Sequence, residues 1–99
     1  MKWKSIMQET PDRSFLSGRF GVLHKHHCIH GYNRKKAEED GLYVMLTVDE
    51  HRRLHDKGEY DMYLKQKAQE MWMQKFGDEE SFRERYGKSY GNFQHIPDG

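Results

Sequence analysis

At 99 residues the chain has room for one domain, residues 1–99, built round one modest core. Apolar residues make up 34% and charged residues 33%, so hydrophobic burial alone leaves such a unit marginal, and a bound metal or partner would add to it. The formal charge is +1, from 17 basic and 16 acidic residues, which excludes bulk charge as a source of nucleic-acid affinity and leaves only local clusters. The single cysteine, Cys28, excludes an internal disulfide and a cysteine-based zinc cage, and fits a reducing compartment. Met1 to Lys4 is not followed by an apolar core of signal-peptide length, and no stretch approaches the roughly 18 apolar residues of a membrane span. The expectation is a soluble, cytoplasmic chain with no membrane partner. Of 7 histidines, all but His95 fall between His24 and His55, and that concentration asks for a chemical reason.

Residues 1–19 mix Pro11, Asp12, Ser14, Ser17 and Gly18 with scattered apolar side chains, which predicts an irregular arm. Phe20 to Ile29 has strand-like content and ends at His30-Gly31, giving a first strand. Asn33 can cap a short helix over Arg34 to Glu39, with Gly41 placed where helices end on a left-handed residue. Leu42 to Leu46 is a compact run with aromatic and β-branched members and reads as a second strand. Thr47-Val48-Asp49-Glu50 matches a capping box, so a helix starts at Thr47, runs through His55 and stops near Gly58. Tyr60, Tyr63, Leu64, Ala68, Met71, Trp72 and Phe76 recur at helical spacing, predicting the longest helix, closed by Gly77. This row reads as a core face rather than a base-stacking platform, with Trp3 and Phe15 packing beneath the hairpin. A last short helix, capped by Asp78 or Ser81 and ended by Gly87, carries Phe82 and Tyr86 one turn apart.

His51 and His55 lie four apart on the helix that opens at Thr47, hence on one face, and can offer two imidazole nitrogens to one ion. Surface helices also carry such pairs with no metal. An antiparallel return of the second strand, however, brings the start of that helix beside His26 and His27. Four histidines then share one neighbourhood, with His24 and His30 as bystanders at the surface or behind it. Arg34-Lys35-Lys36 and Arg52-Arg53 are the basic clusters, read either as phosphate contacts or as a solvated face offset by Glu38, Glu39 and Asp40.

His26-His27, a hairpin and then His51-Arg52-Arg53-Leu54-His55 resemble the ββα-metal core of HNH endonucleases, with a histidine spacing like that of colicin-type nuclease domains. Leu23 to His27, Asn33 to Leu42, Asp56 to Gly58, Leu64 to Glu70 and Arg85 to Tyr90 are similar to small HNH-like proteins of phages and prophages. The resemblance covers roughly residues 14–90. It implies an α+β fold with a ββα-metal core over about 20–58 and C-terminal helices over about 59–87, the long one packed on the core. It implies a phage-encoded, metal-dependent endonuclease acting on DNA in the bacterial cytoplasm, with recombination or packaging proteins as further partners. His27 would be the general base, since an imidazole accepts a proton near neutral pH. His26, His51 and His55 would hold one divalent ion, whether Mg, Mn, Zn or Ni, to stabilise the charge that develops on the phosphate and the departing 3′-oxygen. Arg34, Lys35, Lys36, Arg52 and Arg53 would meet the DNA backbone.

The chain departs from the family pattern in three places. Where many phage relatives carry cysteines for a structural zinc it has Ser14, Ser17, Thr47 and Glu50, so no structural zinc is expected. Where the middle Asn belongs it has Asp40-Gly41-Leu42, with Asn33 well upstream. His26 and His27, as neighbours on a strand, should also point to opposite faces unless the strand twists or ends there. The alternative is a non-catalytic DNA-binding or recombination accessory protein that keeps the fold without turnover.

Overall fold

The computed structural model describes residues 3–91; the ends of the expected single unit, 1–2 and 92–99, lie outside the described residues. It is a small α+β structure with a two-stranded antiparallel sheet and four helices. Strand β1 is Leu23–His27 and β2 is Tyr43–Thr47; helix α1 is Arg34–Asp40, α2 Val48–Lys57, α3 Asp61–Lys75 and α4 Glu79–Tyr86. A 3-10 turn over Gly31–Asn33 leads into α1, so the connection between the two strands holds a turn and a helix. Among the described residues no helix is long and apolar enough to cross a membrane.

The register pairs Leu23 with Thr47, His24 with Leu46, His26 with Val44 and His27 with Tyr43. Side chains alternate along a strand and match across an antiparallel pair, so His24 and His26 share a face with Val44 and Leu46. Val44 and Leu46 are fully buried there, in one cluster with Cys28, Ile29, Leu42, Leu54, Leu64 and Phe82. Lys25 and His27 share the other face with Tyr43, where Lys25 Nζ lies 4.1 Å from the Tyr43 ring centre. Strand β1 is shorter than expected, while β2 keeps its expected length and is shifted by one residue: β1 starts at Leu23 because Gly18 and Gly21, both at positive φ, keep the preceding segment irregular.

The N-terminal arm has no helix or strand between residues 3 and 22, as its composition suggests. It still follows β2 closely: Ser5 Oγ donates to the Tyr43 carbonyl (2.6 Å), the Ile6 amide to the Gly41 carbonyl (2.9 Å), and the Phe15 amide to the Met45 carbonyl (2.8 Å). Trp3 packs edge-on against Tyr43, and Phe15 packs on the core. Gly41 is needed twice, since it ends α1 at φ +78 and a Cβ there would stand 2.5 Å from the Lys4 carbonyl oxygen.

Two sequence expectations need correction. Asn33 sits at the start of α1 but does not cap it; its side-chain amide donates to the Tyr86 carbonyl at 2.9 Å and so ties α1 to α4. The apolar row of α3 is narrower than its spacing suggests. Leu64, Ala68 and Trp72 are buried with Gln69, whereas Tyr60, Tyr63 and Phe76 are about half exposed. Tyr60 lies ahead of the helix in a left-handed conformation, φ +66, which turns it off the helix face. Gln69 fills the place of an apolar neighbour because its amide is paired on both sides, donating to Ser89 Oγ (2.8 Å) and accepting from the Tyr90 amide (2.7 Å).

Candidate metal centre

Helix α2 presents its histidines because its start is fixed. Thr47 Oγ1 accepts from the Glu50 amide (3.1 Å) and Glu50 Oε1 from the Thr47 amide (2.9 Å), the full capping box. Glu50 Oε1 also accepts from Ser14 Oγ–H at 2.5 Å, and Ser14 Oγ in turn accepts from the amides of Leu16 and Ser17 (3.1 and 3.2 Å). Ser14, Ser17, Thr47 and Glu50 thus converge in one hydrogen-bond network that pins the arm to the first turn of α2. Burial opposes ionisation of Glu50, but the Ser14, Thr47 and Ser17 bonds outweigh it and hold its carboxyl below the usual range.

From that anchored turn His51 and His55 project towards β1. One ligand nitrogen each from His26, His51 and His55 lies within 4.8 Å of the others, a group that could bind a metal ion. His51 Nε2 and His55 Nε2 are 3.0 Å apart. Two imidazole nitrogens on a tetrahedral ion at about 2.0–2.1 Å stand roughly 3.4 Å from each other, so small side-chain shifts complete the site.

His26 is buried to 3% exposure, and its Nε2 has no hydrogen-bond partner among the described residues. An unpaired buried acceptor or donor costs about 1–3 kcal/mol, which an ion would recover. Burial first, and then the neighbouring His51, His30 and His55, push the His26 pKa down to about 4; burial, His55 and His24 also lower that of His51. Both shifts favour the neutral ring, the state in which imidazole ligates metal. The donor set and the orphaned nitrogen both fit a divalent transition ion.

Of the two bystanders, His24 bonds to a candidate ligand and His30 stands beside one. His24 Nδ1 and His51 Nδ1 share a proton at 3.1 Å; with His51 donating, its Nε2 keeps a lone pair for the ion. His30 stands 6.0 Å from the His26 ring, centre to centre, and its Nε2 is 3.2 Å from Asp61 Oδ1. Neither contact was legible from the spacing, because both cross from β1 or its turn to a different helix.

His27 is on the other face, as strand alternation requires, yet β1 ends there. Its ring borders the same cavity, of about 260 Å³, as His26, His30, Arg34, His51 and His55. Its Nε2 is 2.6 Å from Glu38 Oε1 and its Nδ1 accepts from Arg34 Nε–H at 3.4 Å. Lys25 Nζ, 2.8 Å away, and His27 hold the Glu38 carboxyl below its usual range. The sequence marks Glu38 only as an offset to the basic run; that it faces His27 follows from α1 folding back inside the strand connection.

The basic residues disperse. Arg34 borders the cavity, Lys35 lies beside it, and Lys36 Nζ donates to the Arg85 carbonyl at 2.7 Å. Arg53 is 3.7 Å from Asp49 and lines a separate cavity of about 420 Å³ with Ser17, Tyr60 and Tyr63, while Arg52 is exposed on α2. Asp40 points away from the histidines: its Oδ2 accepts from Trp72 Nε1 (2.8 Å), Arg85 Nε (2.5 Å) and Tyr86 Oη (2.7 Å). Cys28 is fully buried, which pushes its thiol far above the ordinary range and keeps it from ligation or attack. Compared with family models, with curated proteins and with solved structures, the chain matches none of them.

Proposed function

We propose that the protein is a metal-dependent endonuclease with a ββα-metal core, hydrolysing phosphodiester bonds in DNA. One observation carries the reading: three imidazoles meet round an orphaned buried nitrogen, and a fourth, held by a carboxylate, borders the same cavity. His26, His51 and His55 hold the ion. A bound divalent cation supplies positive charge for the phosphate oxygens and the leaving 3′-oxygen.

The remaining roles fall to side chains. Glu38 accepts the proton on His27 Nε2, which leaves the lone pair on Nδ1 and fixes the tautomer that can act as base. Arg34 covers that nitrogen in the free protein. A phosphate is the better partner for a guanidinium, so arriving DNA draws Arg34 off and frees Nδ1 to take a proton from water. The imidazolium so formed sits against the Glu38 carboxylate, which stabilises it.

Incubation of supercoiled plasmid with Mg, Mn, Ni or Zn tests the reading. The parent is expected to nick or cut with at least one ion, and His27→Ala to lose roughly 100-fold or more of that rate while still binding nickel by calorimetry. Equal rates for parent and His27→Ala would remove His27 as the base.

The second reading, a non-catalytic DNA-binding or recombination accessory protein, draws on the same contact. Both ring nitrogens of His27 are engaged, and Asp40, where the family has Asn, serves the core instead. Salt-sensitive DNA binding without cleavage by any of the four ions would favour it.

A further inference from the structure

Tyr32 is 95% exposed, on the 3-10 turn between Gly31 and Asn33, where it contributes nothing to the core. Isolated exposed aromatics are ordinary on protein surfaces. This one, however, walls a cavity of about 430 Å³ with His27, Arg34, Lys35 and Glu38, and His27 and Arg34 also border the metal cavity. The two cavities therefore adjoin, on either side of the ring that would be the base. Neither Arg34 nor Lys35 has an ion-pair partner among the described residues, and the charge of Glu38 is offset by Lys25 at 2.8 Å. Lys36 Nζ stands 5.9 Å from the Tyr32 ring centre, adding positive charge on that side.

We propose that this cavity is a subsite for an unpaired DNA base, stacked on Tyr32 with its phosphate on Arg34 and Lys35, so that single-stranded or frayed DNA is preferred. The chemistry of the wall selects the occupant. An exposed ring beside cations that no carboxylate neutralises matches a π-faced, anionic ligand, and about 430 Å³ is within the size of small-molecule sites. In a duplex both faces of each base are covered by its neighbours, so only an unstacked base can offer a face to Tyr32. The placement beside His27 rests on the endonuclease reading; the stacking itself needs no turnover.

Fluorescence anisotropy with a short dye-labelled single-stranded oligonucleotide and with its duplex, in EDTA so that nothing is cut, separates the two ideas. Tyr32→Ala is expected to weaken single-strand binding roughly five- to 100-fold, to leave duplex binding within about twofold, and Tyr32→Phe to keep parental affinity. Unchanged single-strand affinity in Tyr32→Ala, an equal loss on both DNA forms, or no single-strand binding by the parent would overturn the subsite. Plasmid cleavage run in parallel scores the other claim. A parent that cuts while Tyr32→Ala binds single strands normally refutes the subsite alone, and a parent that never cuts while Tyr32→Ala loses only single-strand binding upholds it.

Discussion

His27 gains its meaning from two neighbours that no local motif announces. A histidine whose Nε2 proton is claimed by a carboxylate has a defined tautomer, and Glu38, 2.6 Å away, makes that claim from a helix lying between the two strands. Glu38 is not among the proposed metal ligands and acts through His27. Glu38→Ala is expected to slow cleavage about 10- to 100-fold with nickel affinity unchanged. Glu38→Gln, which can still accept the proton through its amide oxygen, should recover part of that loss; Ala and Gln variants cutting equally well would show that the orientation of His27 does not depend on this bond. The sequence holds a trace of the pairing, since Glu38 lies one helical turn beyond Arg34 and both reach His27.

Among the elements, those fixed by local chemistry were the legible ones. Thr47 and Glu50 announce α2 because a capping box is complete within four residues, and Gly41, Gly58 and Gly87 end their helices in the left-handed region as expected. His51 and His55 share a face through helix periodicity, and β2 brings them to His26 through antiparallel register. Long-range partners of polar side chains were not legible, since nothing in a stretch of chain says that Asn33 will turn to Tyr86 or Asp40 to Trp72. Asp40 is the clearest instance: three donors from α3 and α4 converge on one of its oxygens and join those helices to the end of α1. Asp40→Ala strands all three, at a cost of roughly 2–5 kcal/mol measured by urea unfolding. At a temperature where that variant remains folded, its cleavage rate should match the parent's; a large loss in rate would show that Asp40 acts at the site as well as in the core. Gly41→Ala is expected to destabilise as well, by at least about 1–2 kcal/mol, because the positive φ and the Lys4 carbonyl 2.5 Å from the new Cβ act together.

Across the whole molecule the candidate metal centre and the stability of the fold are one account. A chain with 34% apolar residues keeps a neutral imidazole with an unpaired nitrogen in its core, which weakens the metal-free protein and favours the ion. In the unfolded chain His26 takes up a proton near its ordinary pKa of 6.5, in the folded chain only near 4. Between those values the unfolded state binds more protons, so stability is full above about pH 6.5 and falls as the solution is acidified towards pH 4. The loss is on the order of 3 kcal/mol for this group alone, set by its burial and by His51, His30 and His55, with Asp61 opposing. At pH 7, nickel at 100 times its dissociation constant should add about 2.7 kcal/mol, a rise in Tm of roughly 10–20 °C for a domain of this size. His26→Leu separates function from fold: in EDTA it should be more stable than the parent by about 1–3 kcal/mol, because the orphaned nitrogen is gone. It should also lose the nickel-induced rise in Tm and much of the decline between pH 6.5 and 4. A His26→Leu protein less stable than the parent in EDTA would mean that the nitrogen is paired in solution, and that the fold does not carry the cost of an open metal site.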